Sequence, residues 1–316
     1  MSADAPTVTV IVPTYNRRAM LRHALQSLLA QDFSDFEAWI VGDGCTDGSE
    51  EEIAKLGDAR LQWINLPVNG GNQWRPNNEG LQRSRGRYIA FLGHDDLWLP
   101  WHLSTLVFHA EKSGADFLHD LLVNIGPDGV LDTNGPPPHG TTYERYFCPP
   151  SSWLHRREVV TKVGLWKNPA ELTWNTDYDY VRRVYLAGLR LEFVPSFGVV
   201  KFPALRWRTY SKTAPHPQAA TLDLMLQDPA AFSARILTES AVTFSRFTDQ
   251  GARQPLKQAV REAAGAVAHA LKVFVRAAID IYGRERWPLR PLLHRRMQRI
   301  IARNRVIRGL PPAGIF

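Results

Sequence analysis

An α/β fold with a mostly parallel sheet and helices on both faces is predicted by three features of the sequence. Strand-like and helix-like patterns alternate through the first 130 residues. The strand candidates are continuous apolar runs, as expected of strands covered on both faces. Polar stretches rich in Gly and Asp follow directly after those runs, where a parallel sheet presents its carboxyl ends.

The elements read in order as follows. Residues 8–12 form a β-branched run that Pro13 is expected to end. Residues 17–31 show helical spacing, with Met20, Leu21, Ala24, Leu25, Leu28 and Leu29 on one stripe and Asn16 as the expected N-cap. Strands are expected at 36–41, 61–66 and 88–92, and helices at 49–55, 77–85 and 99–113. A fifth strand is expected at 116–124. Residues 126–150 are rich in Pro and Gly and read as loop with room for a short hairpin. A helix at 178–188 with a Gly stop and a strand at 191–194 follow. From about 219 onward the pattern is helical. Val260, Ala263, Val267, Leu271 and Phe274 form an apolar stripe opposite Lys257, Arg261, Lys272 and Arg276. A second basic amphipathic helix is expected at 292–305.

The chain has 316 residues, 44% of them hydrophobic, enough for one large domain or two small ones. Two cysteines, Cys45 and Cys148, cannot form a disulfide scaffold, so a reducing, cytoplasmic setting is expected. The start lacks the basic, long apolar pattern of a signal peptide, and no apolar run is long enough to span a membrane. The net charge of +7 is unevenly placed. Residues 253–308 hold 14 Lys and Arg against 3 Asp and Glu, which leaves the remainder net acidic. Nucleic acid is disfavoured as a partner, because acids sit at the expected binding edge and the positive charge is terminal.

Those strand ends carry the candidate chemistry. The first reads Pro13-Thr14-Tyr15-Asn16-Arg17. The second runs from Gly42 through Asp43 to Gly48, the third is Asn69-Gly70-Gly71, and the fourth is Gly93-His94-Asp95-Asp96. Adjacent carboxylates at a sheet lip repel unless a cation lies beside them, and their oxygens suit Mg2+ or Mn2+. An acid-rich helix start is the alternative reading of Asp95 and Asp96. Asp43 suits a nucleobase or ribose hydrogen bond, or an ordinary turn. The first strand end lacks the glycines of a dinucleotide-binding dehydrogenase, and no P-loop occurs.

Taken together, residues 10–17, 41–49, 69–71 and 88–98 resemble the family 2 glycosyltransferases of GT-A fold, in order, spacing and strand context. The resemblance covers roughly residues 7–205. It implies a catalytic domain at 1–218, with a nucleotide-sugar half to about 125 and an acceptor half at 126–218, and a basic helical extension at 219–316. It implies that Pro13, Thr14, Tyr15 and Arg17 border the nucleotide and that Asp43 binds the base. Arg75, Asn78 and His94 fall at nucleotide or donor-sugar positions. Asp95, assisted by Asp96, matches the metal-binding acids for Mn2+ or Mg2+. Asp177, in Trp174-Asn-Thr-Asp-Tyr-Asp, matches the general base of inverting members, with Asp179 as runner-up and capping of the helix from Tyr178 as the alternative role of Asp177. His216 is a candidate to reach the diphosphate or metal when a loop closes, with an ordinary loop residue as the alternative, and Trp98 and Trp174 are candidates to hold sugar rings, with core or pocket wall as the alternative. Four departures stand out: Gly42, Gly93 and Thr176 occupy positions where the family commonly has acids, and Cys45 replaces a Ser. The implied activity is inverting transfer from a nucleotide-sugar, UDP-linked or similar, to a glycan or lipid-linked hydroxyl in polysaccharide or glycolipid synthesis. A non-catalytic sugar-nucleotide-binding relative is the alternative. The basic tail suits the inner face of an anionic membrane. It equally suits packing on the catalytic domain or on a second copy in a homo-oligomer.

Overall fold

The computed structural model describes residues 5–172, 174–207 and 217–252. His216 and the predicted helices at 260–282 and 292–305 lie outside the described residues.

In chain order the elements begin with β1 (Val8–Thr14), α1 (Arg18–Leu29), β2 (Phe36–Gly42), α2 (Ser49–Leu56) and β3 (Leu61–Asn65). They continue with α3 (Trp74–Arg83), β4 (Tyr88–Phe91), β5 (Leu97–Trp98), α4 (His102–Ser113) and β6 (Phe117–Gly126). Next come β7 (Gly129–Asn134), β8 (Trp153–Arg156), α5 (Glu158–Val163) and α6 (Thr176–Leu186). Last are β9 (Leu191–Lys201), α7 (Ala204–Trp207), α8 (Gln218–Gln227) and α9 (Pro229–Ala252).

One sheet orders the strands β3-β2-β1-β4-β8-β6-β9-β5, with β7 paired to β6 as the hairpin expected in the Pro- and Gly-rich stretch. The first four are mutually parallel. Beyond them β8 runs antiparallel to both β4 and β6, β5 runs antiparallel to β9, and β6 and β9 are parallel. Strand β1 is buried on both faces, as its β-branched run Val8-Thr-Val-Ile-Val12 requires.

Two strands run further than the sequence pattern suggests, and both involve proline. Pro13 lies inside β1 rather than ending it. Its missing N–H faces the β4 side, and β4 has already ended opposite Ile11, so no ladder bond is lost. Strand β9 passes through Pro195 and ends at Lys201 instead of near Val194. The β6 register shifts between His119 and Leu122, and that irregularity absorbs the proline.

Helices cover both faces. Leu21, Leu25 and Leu28 of α1, Ile53 of α2 and Leu103 and Leu106 of α4 share one buried cluster with Val10, Ile40 and Ala90. Leu81 of α3, Val159 of α5 and Tyr180, Val181 and Val184 of α6 pack on the opposite face with Ile11, Phe91, Trp153 and Trp166. Helix α3 lies hard against β1: a Cβ at Gly80 would sit 2.6 Å from an Ile11 methyl. The expected start of the C-terminal extension coincides with α8. Leu222, Met225, Phe232 and Ile236 of α8 and α9 are buried with Leu97, Val200 and Phe202, so this stretch shares the core of the sheet's β5–β9 end.

Candidate active site

The loops after β1 and β2 are stitched together before any ligand is considered. Asn16 holds φ at +48°, a conformation that Asn tolerates better than most residues. Its side-chain oxygen accepts the Thr46 N–H at 2.8 Å. Asn16 is therefore not the cap of α1. That helix starts after Arg17, and Asp47 from the next loop accepts the Arg18 N–H at 2.9 Å, with its other oxygen on Ser49. A sequence reading confined to local spacing misses a cap supplied 29 residues away.

Asp43 is almost fully buried at the end of β2. Both of its oxygens accept the Gly70 N–H, at 2.9 and 3.0 Å, and one accepts Gly71 at 3.2 Å. The carboxylate thus fastens the third strand-end loop to the second. Arg75 lies over this loop, close enough that a Cβ on Gly70 would meet its Cδ at 2.6 Å. The bare position at Gly42 has a steric cause. A Cβ there would fall 2.5 Å from Asn65 Oδ1 and 2.6 Å from the Trp63 ring. Asn65 instead clasps Cys45, accepting its N–H and donating to its carbonyl at 2.8 Å each. The Cys45 thiol is buried, and burial raises its pKa, so it is not a reactive nucleophile.

The fourth strand end holds the acids. Asp96 is fully buried. Lys201 donates to its two oxygens at 2.8 and 3.1 Å, and the Ser151 hydroxyl donates at 2.5 Å. Ser151 also accepts the Gly93 N–H at 3.0 Å, and the Asp96 N–H closes the turn on the Gly93 carbonyl. A side chain at Gly93 would collide with Asp96, its Cβ lying 2.7 Å from Oδ2. Burial pushes the Asp96 carboxyl up, while Lys201 pulls it back. Burial alone would weaken the Lys201 ammonium's hold on its proton, but Asp96, Asp95 and Asp177 outweigh it and raise its pKa. His94 places Nδ1 3.1 Å from the Pro13 carbonyl, tying the ends of β1 and β4.

Asp95 is partly exposed and, unlike Asp96, is hydrogen-bonded to neither Lys201 nor Ser151. Among the described residues no three His, Cys, Asp or Glu side chains are grouped to hold a metal by themselves. One open carboxylate at a strand end fits Mg2+ or Mn2+ of the kind that keeps positions for substrate phosphates. Asp96 does not fit that role, because Lys201 and Ser151 occupy its oxygens.

Asp177 sits in the first turn of α6 and accepts the Tyr178 N–H at 2.9 Å. Burial raises its pKa, and the Lys201 charge opposes the rise. Thr176 is buried and donates to the Lys167 carbonyl at 2.9 Å, so the position that could have carried a second acid anchors the preceding loop. Asp179 is engaged differently. It pairs with Arg183 at 2.7 Å, and Arg183 also holds the carbonyls of Val163 and Leu165.

Several expected site residues are engaged elsewhere. Asn78 makes two 2.9 Å bonds to the backbone of Trp166, one as donor and one as acceptor, so it clasps α3 to the loop before α6. Trp98 is fully buried, donates to the Ser151 carbonyl and stacks near His102, which makes it core rather than a sugar platform. Trp174 is half exposed beside Tyr178. Thr14, Tyr15 and Arg17 stay at the β1 end. Lys201, Ser151 and Gln218 join the site although no sequence motif marks them. Gln218 is buried and donates to the Asp95 carbonyl at 3.1 Å. A lone Lys ending the apolar run Gly198-Val-Val is the available signal for Lys201.

The model for "Glycosyl transferase family 2" matches residues 9–163. An uncharacterized glycosyltransferase of Nostoc sp. is 34% identical over 170 residues, covering 49% of this chain and 52% of that protein. The GalNAc(5)-diNAcBac-PP-undecaprenol beta-1,3-glucosyltransferase of Campylobacter jejuni is 32% identical over 123 residues, covering 37% and 39%. The chain thus spans about half or less of these curated relatives. Residues 1–349 of Staphylococcus aureus TarS, solved in complex with UDP-GlcNAc, superpose with a TM-score of 0.57 at 18% identity, covering 96% of this chain and 90% of that one. The last likeness is one of fold.

Proposed function

From the family 2 glycosyl transferase domain that this chain carries over residues 9–163, we infer that it moves a sugar from a nucleotide-sugar to an acceptor hydroxyl with inversion at the anomeric carbon. What supports this reading is that Asp95 and Asp177 both act on the Lys201 ammonium, which is itself hydrogen-bonded to buried Asp96 at 2.8 Å. A candidate donor-binding acid and a candidate base are then expected to serve one site, with Lys201 as the charge common to both.

Asp43 and the Gly70-Gly71 backbone it holds form the nucleotide end, with Thr14, Tyr15, Arg17 and Arg75 around it. Mn2+ or Mg2+ bound at Asp95 supplies Lewis-acid neutralisation of the departing diphosphate. The chain's own contribution is a fixed cation, Lys201, and a turn held in place by Asp96 and Ser151. Asp177 takes the acceptor's proton as its oxygen attacks, and its raised pKa makes it a stronger base than an ordinary carboxylate. The departures from the family's acids each have a packing reason, at Gly42, Gly93 and Thr176, which favours a working enzyme over a decayed relative.

The relative acting on an undecaprenol-linked glycan supports a glycan or lipid-linked acceptor and a place in polysaccharide or glycolipid synthesis. No helix among the described residues is long and apolar enough to cross a membrane. The basic segment 253–308 is proposed to meet an anionic membrane surface, with a second copy of the chain as its other candidate partner. Liposome flotation of the full chain against a 285–316 truncation tests the membrane role, and equal flotation removes it. The catalytic reading is tested by thermal stabilisation with UDP, GDP and nucleotide-sugars in Mn2+. A ligand that binds the native state raises its Tm, and no response to any of them contradicts the proposal.

A further inference from the structure

We infer that Lys201 is a positioning residue for donor binding, which locks Asp96 away from the ligand so that Asp95 alone faces the diphosphate; this rests on the function proposed above. Lys201 ends β9, at the opposite side of the sheet from the nucleotide loops, yet its ammonium reaches both Asp96 oxygens at 2.8 and 3.1 Å. Asp96 is fully buried, and about 29% of the Lys201 side chain is exposed, so the ammonium joins the buried carboxylate to the surface at the ends of β4 and β9. The Ser151 hydroxyl joins them, and through it the Gly93 N–H, so four residues from three segments fix one tight turn.

The charge balance explains why the lock matters. Asp95, Asp96 and Asp177 all act on Lys201. An anionic diphosphate entering beside three carboxylates is repelled, and Lys201 cancels the one that carries no open face. Removing the lysine alone leaves a buried carboxylate without its partner, the costly half of a broken ion pair. Removing both members restores the balance, and the Ser151 hydroxyl can still donate to an amide oxygen at position 96.

The test is a double-variant cycle read by calorimetric affinity for UDP or GDP in Mn2+, whichever the wild type binds. Lys201→Met is expected to weaken binding about tenfold or more, and Lys201→Arg to keep it within about threefold. Lys201→Met with Asp96→Asn is expected to recover most of the loss. Lys201→Met that lowers Tm while affinity stays unchanged shows a structural role only and overturns the inference, as does a double variant no better than the single one. If Lys201→Met does not fold, Asp96→Asn serves. It frees the ammonium to pair with Asp95, and the affinity gained by adding Mn2+ should then fall about tenfold. An unchanged Mn2+ gain overturns the inference. Wild type that binds neither nucleotide removes the proposed function and this inference together, a result distinct from those above.

Discussion

The Asp43 carboxylate straddles the Gly70 N–H, with one oxygen at 2.9 Å and the other at 3.0 Å. A side chain at the end of β2 therefore shapes the loop that follows β3, and the proposed nucleotide pocket is expected to depend on that link. Asp43→Ala removes the charged acceptor that holds the half-buried Gly70 and Gly71 N–H groups. A stability loss of about 1–3 kcal/mol is expected, with nucleotide affinity falling at least about tenfold. Chemical denaturation and calorimetry check the two parts, and unchanged nucleotide affinity would show that the loop is not part of the pocket.

Asn78→Ala separates clasp from contact. It removes both bonds to Trp166 and should cost about 1–3 kcal/mol of folding stability. Affinity for UDP or GDP, measured below the lowered Tm, should stay within a factor of about three.

Gly93→Asp restores the acid that the family commonly has there, and it should harm this chain. The new Cβ falls 2.7 Å from Asp96 Oδ2 and adds a third carboxylate to the turn. The expected cost is about 1–3 kcal/mol from overpacking alone, read by denaturant unfolding. A variant as stable as wild type would show that the turn has room it does not display.

Asp177 links activity to pH and to stability. Its folded pKa is raised by burial, so the folded protein holds this proton more tightly than the unfolded chain does. The sign follows directly: stability from this group is fully present below the unfolded value of 3.8 and declines as pH rises through the folded value. Asp177→Asn should therefore raise Tm at neutral pH, with the gain shrinking toward pH 4. The same variant should bind nucleotide normally and lose about two to four orders of magnitude in kcat. In wild type, activity should fall on the acid side of a limb lying above the usual aspartate range.

Much of the fold, and the strand-end loops of the candidate site, are legible in the sequence. Apolar runs mark the four parallel strands, and their polar sequels mark Asp43, Asp95 and the loops at Asn16 and Gly70, because a parallel sheet gathers its carboxyl ends on one edge. What stays hidden depends on long-range contact. Asn78 sits on the expected helix, but only the fold shows its two bonds to Trp166, 88 residues away. Asp96 looks like Asp95 in sequence, and only the distant Ser151 and Lys201, 55 and 105 residues on, tell them apart. The run through Pro195 escapes a local reading because proline normally ends a paired strand, and the register shift that admits it belongs to the pairing with β6.

The central claim is nucleotide-sugar transfer that needs Asp95. Its most direct measurement is release of free UDP or GDP from a panel of nucleotide-sugars in Mn2+, by the full chain and by Asp95→Ala. At least one donor should be cleaved by wild type, and the variant should lose that release while remaining folded. Release from no donor, or equal release by folded Asp95→Ala, would contradict the account.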